Sequence, residues 1–183
     1  MRVLRLIFPL LLGCALWTAT ATQLHAQLDT SDAMSDAEVE KLRDSAYVAN
    51  DRVVVFQSIL QSRIEQIDKL VSKPRHAGRE EDIHDLIEQF RSIADELDDN
   101  VDEYGKTHRD VRKAVPRLLK AIDAWEASLK KPADNDAYNV SRQLALESIA
   151  DLRKDVNDVL AEEKEWFAAH PPQKQPSGSE VPS

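Results

Sequence analysis

Cysteine occurs once in 183 residues, at position 14. With no second cysteine there is no intrachain disulfide, and zinc, iron–sulfur and haem sites built on cysteine pairs are excluded. Glycine is nearly as scarce, with four in the chain and only Gly78 and Gly105 in its body. Runs in which Val, Ile, Thr and aromatics alternate with polar residues are absent, which argues against strands. Positive charge is also short. The 24 Lys and Arg face 33 Asp and Glu, so there is no basic footprint for nucleic acid, and anionic lipid headgroups should repel the chain. No apolar run reaches the ~20 residues that a membrane-spanning helix needs.

The first residues do carry a pattern. Arg2 and Arg5 precede an apolar stretch from Leu6 to Trp17, followed by small and polar residues. This layout predicts a secretory signal peptide over residues 1–26, cleaved before Gln27, with Ala19-Thr20-Ala21 as a second site for the same peptidase. Leu11-Leu12-Gly13-Cys14 resembles a bacterial lipobox, which would place a lipid anchor on Cys14. The apolar run continues through Ala15, Leu16 and Trp17, and the segment before Cys14 is short, so ordinary cleavage is the favoured reading. Loss of Arg2 and Arg5 leaves 22 basic against 33 acidic residues, a net charge of −11. The expected location is periplasmic or extracellular, and the expected partners of so acidic a chain are cationic.

The remainder reads as helices joined by short turns. Residues 27–34 form a loose lead-in, residues 35–169 a helical domain, and residues 170–183 a disordered tail rich in Pro and Ser. Ser35 with Glu38 has the spacing of a capping box and opens a short helix carrying Val39, Leu42 and Ala46 inward. A first long helix is expected over Asp51–Val71, with Val53, Phe56, Leu60, Ile64, Ile67 and Val71 on one stripe. A second spans Arg79–Tyr104 and ends on Gly105 as its C-cap. A third spans His108–Lys130 and is kinked at Pro116, because the apolar rhythm Val111, Val115, Leu118, Ile122, Trp125, Leu129 keeps its phase across the proline. The fourth runs over Asp136–Ala168, with Trp125 and Trp166 as core anchors. The expected fold is all-α, an antiparallel up-down-up-down four-helix bundle with a short extra N-terminal helix.

Chemistry is sparse. Glu81-Asp82-Ile83-His84 holds the Glu-x-x-His spacing of di-metal bundle sites, but the motif occurs once in the body of the chain. At most, His84 with Glu81 and Glu88 would hold a surface metal. The acidic run Asp95, Glu96, Asp98, Asp99, Asp102, Glu103 fails the calcium-loop pattern, since Glu103 stands where glycine is required. A haem held between Met34 and His170 would need both on apolar stripes, and neither is on one. No Gly-x-Ser-x-Gly elbow is present. Asn139-Val140-Ser141 matches a glycosylation sequon, and Tyr138, Asn139, Ser141, Arg142 and Gln143 read as capping and hairpin contacts.

Acids crowd the end of the second helix while His108, Arg109, Arg112, Lys113 and Arg117 crowd the start of the third. Both signs oppose the helix dipole. A hairpin through Gly105 would pair them, and Asp98, Asp99, Asp102, Arg109 and Arg112 are the expected interaction surface. The function expected from these features is non-enzymatic binding of a protein or envelope component, without a cofactor; the alternative is a metal- or cofactor-binding bundle.

Overall fold

The three-and-four spacing of apolar residues resolves into five helices over residues 33–171, the part of the chain that the computed structural model describes. They are α1 (Asp36–Asp44), α2 (Ala49–Ser72), α3 (Arg79–Thr107), α4 (Val115–Leu129) and α5 (Asn139–Ala169). There is no strand among the described residues, so the fold is all-helical. No helix among them is long and apolar enough to cross a membrane. The signal-peptide reading, Cys14 and the tail from residue 172 onward lie outside the described residues.

The apolar stripes form one core. Val53, Phe56, Leu60 and Ile67 of α2 are fully buried with Ile83, Ile87, Phe90, Leu97 and Val101 of α3. Leu118, Ile122, Trp125 and Leu129 of α4 join them, as do Ala145, Leu152 and Val156 of α5. Each helix places its apolar residues on one face, and burying that face is the main drive for folding.

Helix α2 packs on α3 and α4, and α5 also packs on α3 and α4. The consecutive helices α3 and α4 are not among the packed pairs, so α3 and α4 stand diagonal to each other. Side-chain register gives the directions. Asn50 meets Ala114, Gln61 meets Trp125 and Asp68 meets Lys131, so residue numbers rise together along α2 and α4. They also rise together along α3 and α5, from His84 opposite Ser141 to Gly105 opposite Val159.

Three local expectations are corrected. Residues 108–114 are not helical, and α4 begins at Val115 with Pro116 in its first turn. There the missing N–H removes no helical hydrogen bond, so proline starts the helix and does not kink it. Gly105 is not the cap of α3. The helix continues to Thr107 and closes on His108, which takes the left-handed conformation at φ 51°. Gly105 instead allows α5 to approach, since a Cβ there would lie 2.8 Å from Cγ2 of Val159. Asn50 and Asp51 belong to α2 and do not interrupt it.

Helix α1 has a single buried residue, Leu42, so apolar burial alone holds it weakly. Its other tie is ionic. Arg63 of α2, only 7% exposed, donates to both carboxylate oxygens of Glu38 at 2.9 and 2.8 Å and to the Ala33 carbonyl at 2.9 Å. Glu38 also accepts the Ser35 backbone N–H at 2.8 Å, completing the capping box. The guanidinium holds the Glu38 carboxyl down at about 2. This contribution to stability is therefore complete above the usual carboxylate range and fades as pH falls from 4.5 toward about 2. Arg63→Ala should lower stability by about 2–3 kcal/mol, less than a sealed ion pair because Glu38 can turn to water as α1 lifts off. Hydrogen exchange should then speed up across residues 36–44 with little change in α3 and α5.

Candidate functional site

The residues singled out for a metal are committed elsewhere. His84 is half-buried, and its Nδ1 lies 3.2 Å from Oγ of Ser141 on α5. Glu88 accepts from Arg91 at 2.9 Å, with both side chains 14% exposed. Glu81 is exposed. Among the described residues no three His, Cys, Asp or Glu side chains converge as a metal set would. Met34 packs beside α1 and Leu42, whereas His170 stacks on Trp166 at 4.5 Å. Asn139 of the sequon accepts the Asn135 N–H, which fits its reading as a capping contact.

The expected cross-hairpin pairing does not form. Arg109 donates to the Ala46 carbonyl at 2.7 Å and lies over the Tyr104 ring. Arg112 clasps Asp110 through Nε and Nη2 at 2.9 and 2.8 Å and covers the Phe167 ring at 4.0 Å. Asp102 pairs within its own helix, with Lys106. The reason is the diagonal step from α3 to α4: the 108–114 connection crosses the end of the bundle and carries its cations away from the α3 acids. Two buried side chains hold that connection. Asn50 donates to the Asp110 carbonyl at 2.6 Å and accepts the Ala114 N–H at 2.8 Å. Glu163 of α5, with no exposed surface, accepts the Val111 N–H at 3.1 Å. Trp166 is not a core anchor. It lies half-exposed between the imidazoles of His108 and His170, at 4.3 and 4.5 Å.

The α3 acids face α5. Asp98 is half-buried, its Oδ1 is shielded from water without a hydrogen-bond donor, and the charges that reach it are those of Asp155, Asp151, Asp99 and Asp95. Burial, reinforced by these four like charges, pushes its carboxyl up to about 6. Nearby cations are engaged by other acids: Lys154 with Asp155 and Asp158, Arg91 with Glu88 and Asp95. The result is a carboxylate-lined seam between two helices that run in the same direction.

Asp98 and Asp99 were expected on an interaction surface and lie in this seam; Arg109 and Arg112 lie at the end of the bundle. Asp151 and Asp155 were missed. Their four-residue spacing is visible in α5, but only the α3/α5 register shows that they face Asp98. Compared with protein-family models, curated proteins and solved structures, the chain has no match in any of the three.

Proposed function

We propose that this chain is an exported, non-enzymatic helical-bundle protein that works by binding a cationic protein or envelope component along the α3/α5 seam. The finer architecture belongs to the same reading: α2 with α3 and α4 with α5 form two antiparallel hairpins, and α1 is an extra helix laid on α2. The observation that carries the proposal is Asp98, a carboxylate surrounded by four like charges. Folding has no use for that arrangement, because removing the charge would relieve both desolvation and repulsion. A cationic partner would supply the missing counter-charge.

The cost of the arrangement is measurable. Because Asp98 is protonated more readily in the folded chain, its carboxylate lowers stability at neutral pH, and the penalty vanishes as pH falls from about 6 toward 3.8. Asp98→Asn should therefore raise stability at pH 7 by about 1 kcal/mol, the full shift being discounted for solvent screening at a half-buried site. Near pH 3 the gain should disappear. Urea unfolding at the two pH values checks this, and equal effects at both would show that the charge is not the cause.

Binding itself is tested by a photo-crosslinking residue placed at Asp151, which is exposed, in the full chain in its own host. The expected result is a defined cross-linked species that is lost when Asp99 and Asp155 are changed to lysine. No cross-link, or one indifferent to those changes, would count against the seam.

A further inference from the structure

We infer that the cationic partner of the acidic seam is a second copy of this chain, presented through its α2/α4 face. This rests on the reading of the seam as a binding surface and adds the identity of what fills it.

In a chain that is 31% charged, residues 53–62 contain no ionisable side chain. The inward members of that run are core, but Val54, Ser58 and Gln61 are exposed. Just before it, Tyr47 is 92% exposed and Val48 is 50% exposed. Depletion of charge around exposed tyrosine and aliphatic side chains is the composition of an interface centre and not of an ordinary solvated helix. Beside this strip, Arg117 and Lys120 of α4 are exposed and make no ion pair among the described residues. Exposed Lys113 adds a third cation at the same edge.

A groove of about 280 Å³ separates α2 from α4. It is lined by Gln57, Ser58, Gln61, Ser62, Glu65 and Arg117, and Gln57 Oε1 is shielded there without a donor. Trp125 donates to Gln61 Oε1 at 3.0 Å, and Gln61 Nε2 donates to Glu65 at 3.1 Å, which holds the amide in place. The face thus offers hydroxyl, amide and cationic donors, which a row of aspartates can accept.

Those aspartates are on the same molecule. The packing order α2, α3, α5, α4 puts the α2/α4 pair and the α3/α5 pair on opposite sides. Front and back are complementary, so the contact is heterologous and adds copies in a row unless the rotation closes a ring. The net negative charge opposes assembly, but at physiological salt it acts over only about 8 Å, so the facing patches dominate the contact.

Sedimentation velocity of the mature chain at physiological salt tests this directly. The wild type should show a sedimentation coefficient that rises with concentration. Arg117→Glu with Lys120→Glu should weaken association by about tenfold or more, as should Asp99→Lys with Asp151→Lys. Mixed in equal amounts, these two variants should form a dimer and nothing larger, since each retains one intact face. All four positions are exposed, so circular dichroism and melting should match wild type. A wild type that remains monomeric, or a mixture that does not dimerise, overturns the inference. If the Asp151 cross-link then leads to a different chain, the seam survives as a binding surface while its self-recognition does not; if it leads to nothing, both readings fall.

Discussion

Trp125→Ala should cost the protein about 4 kcal/mol, within the range for emptying a large aromatic site in a core. The side chain has no exposed surface and reaches two other helices from α4. Its ring meets Phe90 of α3 edge-to-face at 5.7 Å, across the diagonal of the packing. Its indole N–H donates to Gln61 of α2 at 3.0 Å. Alanine would remove both contacts and leave a cavity where the helix pairs converge. In a domain whose whole stability is about 5–15 kcal/mol, that loss should shift the urea midpoint strongly while leaving the slope unchanged. Trp125→Phe keeps an aromatic ring against Phe90 and frees Gln61, which is exposed and can be solvated, so about 1–2 kcal/mol is expected. An alanine variant that lost less than about 1.5 kcal/mol would mean that the core collapses around the site, contrary to its role as the central packing element.

Trp125 is also among the residues most plainly legible in the sequence. It stands in the rhythm Val115, Leu118, Ile122, Trp125, Leu129, all fully buried, because helical periodicity is a local property that sequence spacing records directly. The same rhythm misled one step earlier. Val111 continues the phase and is fully buried, yet it plugs the end of the bundle from a non-helical connection. Burial without helix looks identical to burial within one when only spacing is read. Gly105 misled in a similar way: a glycine near a helix end suggests a cap, whereas this one is needed for close approach to Val159. His108 took the capping conformation because the chain must turn there to cross the bundle end.

What no local pattern records is which helices become neighbours. Short turns favour adjacent hairpins, and that preference led to pairing the α3 acids with the cations that follow them. The diagonal placement of α4 breaks that pairing and brings α5 beside α3. Asp98 then meets Asp151 and Asp155, residues more than fifty positions away whose charge the composition shows but whose location it does not. The fold was legible because it rests on periodicity; half of the acidic seam was not, because it rests on register between helices distant in sequence.

Glu163 is where that register is secured, and its two substitutions should separate hydrogen bonding from charge. Its Oε2 accepts the Val111 N–H at 3.1 Å, while its Oε1 is buried without a partner. Burial pushes the carboxyl up, Asp110 adds to the rise, and the Val111 hydrogen bond with the Arg112 charge pulls against it. The folded chain therefore holds the proton more tightly than the unfolded chain does. The contribution of this group is most favourable below the usual carboxylate range and declines as pH rises through the raised value. Glu163→Ala leaves the Val111 N–H orphaned in the interior and opens a cavity, so about 3 kcal/mol should be lost at pH 7. Glu163→Gln retains an oxygen for that N–H and removes the buried charge, so stability at pH 7 should stay within about 1 kcal/mol of wild type. The glutamine variant should also gain on wild type between pH 5 and pH 8, because only wild type pays for ionising a buried carboxyl over that interval. Urea unfolding of the three proteins at both pH values measures this. A glutamine variant as unstable as the alanine one would mean that the carboxylate charge itself holds the 108–114 connection, through Arg112, and that the Val111 hydrogen bond is incidental.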